Sequence, residues 1–140
     1  GVRKTITSQY SDPDGYLNIG EYRLLINNTL SGAGCIHVMY DAVSNKLYVR
    51  NNDNTAWLGG YAPGTANVVE NSYCKLYCAE TTRSYSGTGY TINWKIEAKP
   101  AMAGRNCGAW MRVADNCGAV DGWEQFGGSF KVNVLHPSDV

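Results

Sequence analysis

The stretch "TINWKIEA" (residues 91–98) places Ile92, Trp94 and Ile96 on one side and Asn93, Lys95 and Glu97 on the other. Side chains of a strand alternate between faces, so this pattern is a half-buried strand with one wet face. Similar runs follow one another along the chain: "RKTITSQY", "GEYRLLINN", "CIHVMYD", "KLYVRN", "NVVENSYCKLYCAE", "CGAWMRVAD" and "SFKVNVL". Turn-rich segments such as "TLSGAG", "AWLGGYAPGTA" and "NCGAVDGWEQFGG" separate them, and no run carries the period of an amphipathic helix. About eight strands with short connections predict an all-β fold, a two-sheet antiparallel sandwich forming a single domain over residues 1–140. "CIHVMY" alternates less cleanly, as a strand covered on both faces does.

Lys+Arg and Asp+Glu number 12 each, without blocks of one sign. No long-range field therefore favours nucleic acid or an anionic membrane. No apolar run approaches the roughly 18 residues that cross a bilayer, so no membrane insertion is expected. Ten tyrosines and four tryptophans stand against two phenylalanines. Amphipathic rings of this kind suit strand faces and wet contact surfaces. Gly1 at the start fits a processed chain or one domain of a longer one.

"YCKLYC" sets the cysteine problem. In an extended strand Cys74 and Cys78 lie about 13 Å apart on one face, too far for a mutual disulfide. Two ligands on one strand do not share a zinc ion, and the remaining Cys and His residues show no ligand spacing. Each cysteine is therefore read as a staple to a neighbouring strand, which places the chain in an oxidising compartment, extracellular or at the cell surface. Among several open pairings, Cys35–Cys74 with Cys78–Cys107 is preferred. Cys117 is then the odd cysteine, a free thiol or an intermolecular link, or else a buried inert one.

Two other features are candidate sites. In "SDPDGY", Asp12 and Asp14 offer hard oxygens for calcium, although the same residues make a tight turn and Ca²⁺ takes about six to eight oxygens. Trp57, Tyr61 and Trp123 sit in glycine-rich loops and offer a ligand platform for sugar rings or a partner's side chains; the alternative is that they fold back as plugs. No nucleophile elbow, zinc-protease motif or phosphate loop is present, and no cofactor is expected. Asn27-Asn28-Thr29 matches a glycosylation sequon.

"YSDPDGY", "LLINNTLSG", "TAWLGGYAPG", "ENSYCKLYC" and "WMRVADNCGAVDGWEQFG" together resemble a repeat-forming β-sandwich domain of large secreted or surface proteins of bacteria. Its "DxxGxxxGW" signature falls here on Asp115, Gly118, Gly122 and Trp123. The resemblance covers almost the whole chain and implies an extracellular, immunoglobulin-like module without catalytic residues. It supports the pairing Cys35–Cys74 and Cys78–Cys107. The position of Cys117 is more often serine in that family, a departure that favours a covalent partner contact.

The expected function is a non-enzymatic structural or adhesive module whose partner is protein, including copies of itself. Assembly into filaments would proceed by strand exchange through "GVRKTITSQY" or "VNVLHPSDV". The alternatives are a carbohydrate-binding module using Trp57, Tyr61 and Trp123 with a glycan partner, and an inert spacer of a repeat array.

Overall fold

A computed structural model describes residues 2–11, 19–86, 89–115 and 120–131. Eleven strands follow in chain order: β1 (Arg3–Ser11), β2 (Ile19–Asn27), β3 (Ile36–Asp41), β4 (Lys46–Arg50), β5 (Trp57–Tyr61), β6 (Val68–Glu70), β7 (Cys74–Tyr77), β8 (Thr82–Ser86), β9 (Gly89–Ala98), β10 (Asn106–Asp115) and β11 (Val120–Lys131). The described residues contain two short 3-10 turns, Cys78–Glu80 and Pro100–Met102, and no α-helix. All pairings are antiparallel.

The strands form two sheets. One runs β1-β9-β7-β6, with β8 beside β9; the other runs β11-β10-β2-β3-β4-β5. The inward positions alternate as the pleat requires: Tyr90, Ile92, Trp94 and Ile96 on β9 meet Tyr22, Leu24 and Ile26 on β2, Ile36, Val38 and Tyr40 on β3, and Leu47 and Val49 on β4. β3 is buried on both faces, because its alternate residues His37 and Met39 are covered from outside.

The tyrosines account for much of this core. Tyr22 stacks on Tyr90 with ring centres 4.4 Å apart and meets Tyr10 edge-on at 4.9 Å. Such pairs add about 1 kcal/mol each beyond their buried area. Trp94 is fully buried, and its indole N–H donates to Ser8 Oγ at 2.8 Å. Ser8 donates to the Tyr10 hydroxyl at 2.8 Å, and Tyr10 donates to the Arg23 carbonyl at 3.0 Å. This relay satisfies three buried polar groups and ties β1 and β9 of one sheet to β2 of the other.

Three segments differ from expectation. "AWLGGYAPGTA" contains β5, whose Gly59 and Gly60 have positive φ. A Cβ at Gly59 would stand 2.9 Å from Val69, so the close approach of β5 to β6 needs glycine there. "NVVENSYCKLYCAE" is a hairpin, β6–β7, turned at Asn71, whose side-chain oxygen accepts from the backbone N–H of Tyr73 and Cys74. β11 takes in "VDGWEQFGG" ahead of "SFK".

Candidate functional site: the outer face of the six-stranded sheet

The parity that sends Tyr22, Leu24 and Ile26 inward sends Glu21, Arg23 and Leu25 outward, with His37 and Met39 on β3, Tyr48 and Arg50 on β4, and Trp110 and Arg112 on β10. Register aligns them: Leu25 faces His37 and Trp110, Arg23 faces Met39 and Arg112, and Arg50 faces Trp57. Residues far apart in sequence thus meet on one side of the sheet.

His37 is the hub. Its ring is 3% exposed and meets Trp57 edge-on at 5.1 Å and Trp123 edge-on at 5.4 Å. Both ring nitrogens are buried without a hydrogen-bond partner of good geometry among the described residues. Burial, and then Arg23, Arg50 and Arg112, hold its pKa down to about 4 against the opposite pull of the Gly32 backbone. The imidazole is neutral at physiological pH.

Arginines close the cluster. The Arg23 and Arg50 guanidinium carbons lie 4.9 and 4.8 Å from the centre of the Trp57 ring, and Tyr48 meets that ring at 6.4 Å. Glu21 accepts from Arg23 Nη2 at 2.8 Å and from Arg112 Nη1 at 3.0 Å. Arg50 donates to the side-chain oxygen and the carbonyl of Asn54. Five strands, from β2 to β5 and across to β10, are interlocked outside the main core.

The sequence candidates fare unevenly. Trp57 and Trp123 converge through His37 on the outer face of a sheet rather than at an end of the core. Trp57 has its π-face occupied by cations, which removes it as a sugar platform. Tyr61, at the far end of β5, is 42% exposed and makes no ring contact with the tryptophans among the described residues. Asp12, Asp14 and Cys117 lie outside the described residues. Among the described residues no group of three or more His, Cys, Asp or Glu side chains is placed to hold a metal ion. Asn27 of the sequon is buried and donates to the Ser31 carbonyl, so its amide is in use.

The disulfide expectation is corrected. Cys35, Cys74, Cys78 and Cys107 are buried free thiols. Cys78–Cys107 fails on direction: Cys74 pairs with Ala98 at the end of β9, while β7 carries Cys78 back toward the middle of that strand. Cys107 follows the turn after Ala98 and therefore lies at the Cys74 end. There the Asn71 side chain joins the Cys35 carbonyl at 3.0 Å to the Cys74 N–H at 2.8 Å. Burial pushes the thiols of Cys35 and Cys74 up to about 12 and that of Cys78 to about 11.

His37, Arg23, Arg50 and Arg112 were not singled out from sequence. A histidine between apolar neighbours in a strand carries no local signal, and the arginines meet only once strand register is known. A cleft between β1 and the β10–β11 pair is lined by Gln9, Tyr10, Met111, Arg112 and Glu124, and gathers no nucleophile. Comparison with family models, curated proteins and solved structures finds no match to this chain.

Proposed function

We propose that the chain is a non-catalytic, extracellular structural or adhesive module, an immunoglobulin-like sandwich of the repeat-forming kind it resembles. The enclosure of His37 on the outer face carries this reading. A general base must reach substrate and titrate near working pH. His37 is enclosed and held at about 4. A thiol nucleophile needs its thiolate, and the described thiols are buried with raised pKa values.

The partner is protein, including further copies of the chain. The N-terminal segment is a poor donor for strand exchange: β1 pairs with its own β9 from Arg3 to Ser11, and donation would break that whole register. The open edges are better contacts, above all β8, whose five residues are all exposed.

Light scattering after size exclusion, with and without reductant, tests the reading. Species larger than the monomer are expected at high concentration. A monomer throughout sinks self-association, and turnover of an ester, peptide or glycoside panel sinks the non-catalytic part.

A further inference from the structure

The outer face of the six-stranded sheet carries more positive charge than it neutralises. Arg23, Arg50 and Arg112 stand on β2, β4 and β10, and Glu21 is the one carboxylate in salt-bridge contact with them among the described residues. Arg50 makes its hydrogen bonds to the neutral Asn54. Burial, and then the charge of Arg23, lower the Arg50 pKa against the opposite pull of Glu21. In the middle of the same face, Arg23 Nε and both nitrogens of His37 are buried without a hydrogen-bond partner of good geometry among the described residues.

Beside these charges is an indole with a different environment from that of Trp57. Among the described residues no guanidinium stacks on Trp123, which is half-buried and touches His37 edge-on. The β10–β11 register runs Met111–Glu124 and then, across a bulge, Val113–Asp121. Arg112 and Trp123 are therefore neighbours on adjoining strands. An aromatic face next to a guanidinium bonded, among the described residues, through Nη1 alone matches a ring bearing both C–H groups and a carboxylate. The charges are spread over three strands of the sheet. That spacing suits a polymer with an anionic group on each unit better than one small anion.

We infer that this face binds a uronic-acid polysaccharide, with a sugar ring against Trp123 and its carboxylate on Arg112, and with Arg23 and Arg50 along the path of the chain. The inference adds a glycan ligand to the non-catalytic adhesive reading, whose protein contacts lie at the sheet edges, and rests on that reading. Acidic peptides share the carboxylate but lack the pyranose face that the indole would take.

The test is affinity electrophoresis of the intact chain in gels containing polygalacturonate, against the same polymer fully methyl-esterified. Retardation is expected in the acid form, about tenfold weaker in the ester, and reduced by salt. Arg112→Gln and Trp123→Leu, checked for folding by near-UV circular dichroism, should each weaken binding about tenfold. Equal retardation in both polymers, or none in either, overturns the inference using the unaltered protein alone. Unchanged binding in folded Arg112→Gln also overturns it. Competition by poly-glutamate as strong as by oligogalacturonate overturns the glycan and indicates an acidic peptide. Shortening of the polymer would instead remove the non-catalytic reading on which the inference rests.

Discussion

Acidification should weaken this fold through one residue. His37 titrates at about 4 in the folded chain and near its ordinary 6.5 when unfolded. Between those values the unfolded state binds the extra proton, so stability is fully present above pH 6.5 and falls as pH drops toward 4. Below 4 both states are protonated and this loss levels off. The difference corresponds to about 2 kcal/mol by pH 5 and about 3 kcal/mol by pH 4. Urea unfolding at half-unit pH intervals from 7 to 4, on the natural chain and on His37→Leu, isolates the effect. Leucine removes both unpartnered nitrogens and should flatten the slope, leaving the variant more stable than the natural chain at pH 5. Glu70 has its pKa lowered first by its hydrogen bond from Lys99, and Glu97 by that with Tyr77. Their contributions are lost as pH falls below the ordinary carboxylate range, and they cancel in the comparison because both proteins carry them. An undiminished slope in His37→Leu would refute the reasoning.

Other perturbations probe the parts that hold the sheets together. Ser8→Ala leaves the buried Trp94 N–H without its acceptor and should cost about 2 kcal/mol, read by urea unfolding; a loss under about 0.5 kcal/mol would dismiss the relay as a stabilising feature. Gly59→Ala places a Cβ 2.9 Å from Val69 at a φ of +107° and should cost about 2 kcal/mol or more of stability, seen as a lower melting temperature; an unchanged melting curve would contradict that close approach. In the reduced native chain Cys35, Cys74 and Cys78 should resist an aromatic disulfide reagent at pH 8 and react in urea, whereas rapid native labelling at those positions would contradict their burial and raised pKa.

The parts legible in the sequence are those where local pattern and tertiary environment agree. β9 could be read directly, since one face packs on the core and the other is wet. β3 could be read as doubly covered, although what covers its outer side could not. β8 escaped because all its residues are exposed and polar, so it has no apolar period; its pairing with β9 alone defines it. β5 escaped because its paired glycines look like a loop. Trp57 and Trp123 were visible as aromatics among glycines, but the link between them is His37, more than eighty residues from Trp123 in sequence. That convergence depends on the register of six strands, and no short window contains it. The cysteine pairing failed in part for the same reason: the direction of β7 decides which end of the sandwich Cys78 occupies.

The most direct test of the account is nuclear magnetic resonance of the His37 ring. If the outer face is the interlocked cluster described, the ring protons show nuclear Overhauser contacts to the indoles of both Trp57 and Trp123, and the imidazole stays neutral down to about pH 4. An imidazole that titrates near 6.5, with contacts to neither indole, would contradict the cluster and the functional reading built on it.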